Sequence, residues 1–162
     1  MVRLQRIVPG AKKGVYLMDA FEAISAPEPS SFAGKKFFSL SEANRSLILV
    51  KRVVRDVVEH YRRLRELHES YQSLDQIGDV SAADRTRQQY VVTTEHLAAL
   101  REELEDIGCE LRDFEIGLVD FPALRDQREI YLCWRLGEDQ VQYWHEVSGG
   151  FSERHPADAQ TC

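Results

Sequence analysis

No stretch of the 162 residues approaches the about 20 consecutive apolar residues that a membrane-spanning helix needs, so no bilayer-spanning segment is expected. A secretory pattern is missing too: Val2 to Val8 alternates charged or polar with apolar residues, and no apolar core follows. Cysteine is scarce. Cys109, Cys133 and Cys162 are an odd number at wide spacing with no Cys-x-x-Cys, which indicates neither a disulfide framework nor a zinc knuckle. A reducing cytoplasm is therefore expected. Basic charge is also in short supply: 21 Lys and Arg stand against 27 Asp and Glu, a net charge of −6. Non-specific nucleic-acid binding needs clustered cations, so a nucleic-acid partner is not expected.

Signatures of chemistry are equally thin. Ser148-Gly-Gly150 is too little for a phosphate-cradling loop, His-Glu-x-x-His does not occur, and there is no nucleophile elbow. What remains is ordinary globular material, 43% apolar and 30% charged. Its length suits a single domain. Pro9-Gly10, Gly14, Pro27, Pro29 and Gly34 repeatedly break the first 36 residues, which read as a flexible extension with at most a brief helix in Val15–Ile24. Residues 37–151 are expected to form the domain, and 152–162 a flexible tail.

The domain opens on Ser39-Leu-Ser-Glu42, a capping box in which the Ser39 hydroxyl takes a backbone N–H of the first turn and Glu42 reaches back; Phe38 would staple onto Ala43. From there Leu40, Ala43, Leu47, Val50, Val54, Val57, Tyr61 and Leu64 recur at steps of three and four, continuing through His68 to Tyr71 with Leu67 and Leu74 beside them. That spacing lays a narrow seam, close to a coiled-coil repeat, along a helix of about 41–76. Ile77-Gly-Asp-Val-Ser81 breaks it, and Ser81-Ala-Ala-Asp84 starts a second helix carrying Tyr90, Thr93, Leu97, Leu100, Leu104 and Ile107, capped by Gly108. A short loop between two long helices makes an antiparallel hairpin over 40–108. Its charges are complementary: seven basic residues lie between Arg45 and Arg65, six acidic ones between Asp84 and Asp106.

After Gly108 the period falls to two. Strands are predicted at 110–113, 118–123, 129–136 and 140–147, with turns at Ile116-Gly117, Asp126-Gln127 and Gly137–Asp139. Short connections make this an antiparallel meander of three or four strands over 109–147. Alternation sorts the side chains. Val119, Phe121, Ala123, Ile130, Leu132, Trp134, Leu136, Val141, Tyr143 and Val147 share an apolar face for the hairpin, with His145 at its end. Leu118, Asp120, Pro122, Tyr131, Cys133, Arg135, Gln142, Trp144 and Glu146 share a mixed one.

The mixed face is the candidate binding surface, drawn from Asp120, Tyr131, Arg135 and Trp144 with Arg112, Asp113 and His145 at its margin. Asp120 and Arg135 would sit one diagonal apart, as a register-fixing ion pair or as a carboxylate-held Arg for an anion. His145 and Glu146 point to opposite faces and cannot chelate together; a site at His145 would need further ligands, with Asp113 a candidate partner. No spacing supplies a metal set, and the sequence leaves the cofactor unknown. Cys133 reads as a small buried hydrophobe, with Arg135 as the one cation that would activate it.

Several separated blocks, Phe38-Ser-Leu-Ser-Glu-Ala-Asn44, Gly108-Cys109, Arg112-Asp113, Gly117–Pro122, Tyr131–Glu138, Tyr143-Trp-His145 and Gly150-Phe151, resemble a bacterial family catalogued as domain of unknown function 2203. The resemblance spans about residues 37–151 and implies a small cytoplasmic bacterial protein without an assigned activity. The expected fold is α+β, a helical hairpin on a small sheet. Two functions are open: a non-catalytic scaffold that binds itself or a partner protein through the hairpin, and a small-ligand- or metal-dependent enzyme working on the mixed face.

Overall fold

Residues 34–158 are described by the computed structural model, so the expected extension over 1–36 lies outside the described residues except for its last three. Helix α1, Leu40–Ile77, starts at the predicted capping box: Ser39 Oγ accepts the Glu42 N–H at 3.2 Å and Glu42 Oε2 accepts the Ser39 N–H at 2.9 Å. Phe38 is buried and sets its ring against Phe121 at 5.3 Å, tying the helix start to the sheet. Gly78 takes up φ +77 to end α1. Helix α2, Val80–Ile107, follows at once, because Asp79 caps it by accepting the Ala82 N–H at 3.0 Å. Ser81, the expected cap, already lies inside the helix, and the loop shrinks to Gly78-Asp79. Gly108, at φ +103, closes α2 as its sequence position implied.

The seams are those of the sequence pattern. Ala43, Leu47, Val50, Val54, Val57, Leu64, Leu67 and Tyr71 are buried on α1, joined by Val53. On α2 Tyr90, Leu97, Leu100 and Leu104 are buried, with Thr94 rather than Thr93; the Thr94 hydroxyl donates to the Tyr90 carbonyl at 2.9 Å, so its polarity costs little there. The α1 helix of 38 residues is about 57 Å long. An eight-residue strand spans only about 27 Å, so the hairpin overhangs the sheet. Tyr61 reaches Phe114 and Arg65 pairs with Glu115 at 2.9 Å near the limit of that cover; farther along, His68 of α1 meets Tyr90 of α2.

The sheet has five strands, not three or four, in the order of the chain: β1 Glu110–Asp113, β2 Leu118–Arg125, β3 Arg128–Arg135, β4 Tyr143–Glu146 and β5 His155–Pro156, each antiparallel to the next. The extra strand comes from residues that read as a tail. A 3₁₀ turn, Phe151–Glu153, brings the chain back so that His155 pairs with Trp144 and Pro156 with Tyr143. The β2–β3 turn holds Asp126 and Gln127 at φ +51 and +63, both left-handed as a two-residue hairpin turn requires. Val119, Phe121, Ala123, Ile130, Leu132 and Trp134 join the helical seams in one core. Gly117 makes the close approach possible: a Cβ there would stand 2.6 Å from Val54 Cγ1 and 2.9 Å from Leu136 Cβ.

One strand is displaced from its expected register. Tyr131 pairs with His145 and Leu132 with Trp144, so His145 and Tyr143 belong to the mixed face and Trp144 to the apolar one. A strand running unbroken from 140 would have given the opposite sorting. The chain instead leaves β3 at Arg135 and crosses Leu136–Gln142 as an irregular connection pinned by Asn44, whose Oδ1 accepts the Val141 N–H at 2.9 Å.

Candidate functional site

The mixed face is closed over by its own polar side chains. Asp120 of β2 stands opposite Cys133 of β3, and Tyr131 of β3 stands opposite His145 of β4. Asp120, Cys133 and His145 are 2%, 0% and 3% exposed. Arg112 arrives from β1, where the register slips between Leu111 and Asp113 and Arg112 becomes the extra residue of a bulge. Its guanidinium lies 4.6 Å from the Tyr131 ring centre, with Nε donating to Asp120 Oδ2 at 3.0 Å and Nη2 on Glu110 Oε2 at 2.8 Å. Glu110 also accepts the Tyr131 hydroxyl at 3.1 Å and the Lys35 ammonium at 2.6 Å. Arg154, just past the 3₁₀ turn, covers Tyr143 at 4.5 Å and Phe151 at 3.9 Å, and pairs with Glu138 at 2.9 Å.

His145 is held at both ring nitrogens. Nδ1 lies 2.8 Å from the Glu146 carbonyl, which only accepts, so Nδ1 carries a proton. Nε2 lies 3.2 Å from both Asp120 carboxylate oxygens. Burial by itself lowers the ring's pKa, but the Asp120 hydrogen bond and charge with the Glu146 carbonyl outweigh it, and the net displacement is upward. Burial, with Asp120 adding to it, pushes the Cys133 thiol up against the opposing pull of Arg154. Tyr131 is pushed up to about 12, by burial first and by Glu110 next. The cluster thus engages both ring nitrogens of His145 and holds the Cys133 thiol and the Tyr131 phenol away from their ionised, nucleophilic forms. Through a metal ion it has a different potential: one donor atom from each of Asp120, Cys133 and His145 lies within 4.8 Å of the others.

The expected site residues fall into two groups. Arg112, Asp120, Tyr131 and His145 come together. Asp113 does not reach His145; its Oδ1 accepts the Glu115 and Ile116 N–H groups at 2.8 and 3.0 Å and shapes the β1–β2 turn. Asp120 pairs with Arg112 and His145 rather than with Arg135, although Arg135 keeps the expected diagonal position two residues from Cys133, the residue opposite Asp120. Arg135 is exposed and lies 5.2 Å over Phe151. Trp144 faces the core beneath Arg125, and its indole Nε1 is buried without an acceptor among the described residues. The cation facing Cys133 is Arg154, from the expected tail, not Arg135. Sequence reasoning missed Glu110 and Arg154; no motif spacing announces them, since the cluster is assembled across strands.

Such an arrangement defines an α+β domain whose helical hairpin roofs one side of an antiparallel sheet and whose other side is sealed by a charged lattice. The chain belongs to the family described as "Uncharacterized conserved protein (DUF2203)", which matches residues 36–157. No curated protein matches it, and neither does any solved structure. None of the described helices is long and apolar enough to cross a membrane.

Proposed function

We propose that this protein is a non-catalytic, cytoplasmic interaction module that self-associates through its helical hairpin. The observation that carries the reading is the outer side of α1, left uncovered among the described residues, where Ile48 is 82% and Leu49 52% exposed among Arg45, Arg52, Arg55 and Arg62, all exposed. The outer side of α2 has the complementary chemistry: Val91 and Val92 are exposed, and so are Glu95, Glu102, Glu103 and Asp106. A second copy that lays its α2 on this α1 covers apolar side chains and brings opposite charges together, a pairing that also selects orientation. The free thiols of Cys109 and Cys133 support a reducing compartment. Against the rival reading, an enzyme on the mixed face, stands the engagement of every group that would act there.

Sedimentation equilibrium of the full chain tests this. The expected result is a mass of two chains or more, reduced to one chain in Ile48→Glu with unchanged helical circular dichroism, since that side chain lies outside the core of the single chain. A mass of one chain at every accessible concentration overturns the proposal.

A further inference from the structure

We infer that Asp120, Cys133 and His145 form a binding site for one divalent transition-metal ion of the zinc type. The inference goes beyond self-association and does not depend on it. The three residues come from β2, β3 and β4, and their donor atoms lie within 4.8 Å of one another in the buried heart of the mixed face. A tetrahedral ion with bonds of about 2.0 Å to nitrogen and oxygen and about 2.3 Å to sulfur keeps its ligand atoms roughly 3.3–3.8 Å apart. Nε2 already stands 3.2 Å from either Asp120 oxygen, so side-chain adjustments of about an ångström complete the geometry.

Orientation is set in advance. A metal-bound histidine characteristically donates its other ring N–H to a backbone carbonyl or carboxylate, which fixes the tautomer. His145 does so through Nδ1 and the Glu146 carbonyl, and turns Nε2 towards Asp120 and Cys133. Arg112 Nε holds Asp120 Oδ2 at 3.0 Å and leaves Oδ1 for the ion. Arg154 faces the Cys133 sulfur and would stabilise it as a thiolate.

The two guanidiniums do not forbid a cation, because a thiolate, a carboxylate, a neutral imidazole and a dication sum to zero. The Cys133 thiol proton, with whatever proton is held between Nε2 and Asp120, leaves to buffer as the ion enters. A mixed sulfur, nitrogen and oxygen donor set favours zinc, cobalt, nickel or copper over magnesium and calcium. Three protein ligands leave a fourth position for water.

Cobalt(II) titration of the chelator-treated full chain tests the site, cobalt standing in for zinc. The expected result is a near-ultraviolet thiolate-to-cobalt charge-transfer band that saturates at one equivalent and is removed by added zinc. Cys133→Ser should lose the band, while Cys109→Ser and Cys162→Ser keep it. Asp120→Asn and His145→Gln should weaken binding by more than the about 10–100-fold that loss of a supporting partner costs. No charge-transfer band in the unaltered protein, or a band that survives in Cys133→Ser, overturns the inference. Should Cys133→Ser lose its circular dichroism signal, X-ray absorption on the unaltered cobalt complex decides: one sulfur among nitrogen and oxygen neighbours supports the site, and a shell without sulfur overturns it.

Discussion

Gly117 and Gly137 share a left-handed backbone, at φ +64 and +103, but not a neighbourhood. Among the described residues nothing approaches a notional Cβ at Gly137 within 4 Å, whereas at Gly117 that atom would collide with Val54 and Leu136. Gly137→Ala should therefore cost about 1 kcal/mol, the conformational share alone. Gly117→Ala adds overpacking of the helix–sheet contact and should cost roughly 2–4 kcal/mol. Urea midpoints of the two variants check the contrast; equal losses would contradict it. Both glycines stand at predicted turns, yet only the three-dimensional neighbourhood separates them. Asn44 makes the same point. In sequence it is one polar letter of a helical first turn; in the fold its amide satisfies both the N–H and the carbonyl of Val141, 97 residues away.

At the scale of elements, the N-terminus of α1 has a pH signature. The Ser39 backbone N–H, and then its hydroxyl, hold Glu42 below the usual 4.5. A carboxylate whose folded pKa is lowered contributes stability that is complete above its unfolded value and fades as pH falls through the folded one. The difference in unfolding free energy between the unaltered protein and Glu42→Gln should thus be constant from neutral pH down to about 4.5 and shrink below it. Denaturant melts at stepped pH check this, and a difference that grows on acidification would contradict it. This cap was legible because its partners are three residues apart. So were the seams, whose period is set by one helix at a time, and the faces of β2 and β3, joined by a two-residue turn that fixes register. The face of β4 was not legible. Its parity depends on how seven connecting residues are consumed, and that is decided by Asn44 of a distant helix. With β4 went the key juxtaposition of His145 with Asp120. The β5 strand was illegible for a simpler cause: two residues carry no period.

For the whole molecule the hairpin is the unequal part. Its inner half lies between solvent and sheet, and among the described residues its outer half has only the partner helix to cover it. Local opening free energy follows the apolar contacts that an opening breaks. Backbone amides of Leu74–Tyr90 should exchange with deuterium well before those of Val50–Leu64 and Leu97–Leu104, a difference of about 2 kcal/mol or more in protection being expected. Mass-spectrometric exchange on the full chain measures it; uniform protection along both helices would show that something else supports the overhang. Composition and periodicity thus gave the two layers and their order, but not the sealed character of the mixed face. Arg112 and Arg154 produce that seal, one through a bulge and one through the last turn of chain, and neither has a signature in spacing.

Pro122 sits in an inner strand, where a residue lacking an N–H is out of place. It is tolerated because β1 has already ended: the Pro122 carbonyl takes the Phe38 N–H at 2.8 Å, so the side of β2 on which the missing donor would be felt is lined by the chain leading into α1. At the opposite rim β5 is two residues long and again contains a proline, Pro156. Both borders of the sheet are thereby blunted against a foreign strand, in the way natural proteins suppress fibrous aggregation. A foreign strand meets a two-residue strand with a proline at one rim and a bulged four-residue strand at the other, a poor template for growth by strand addition.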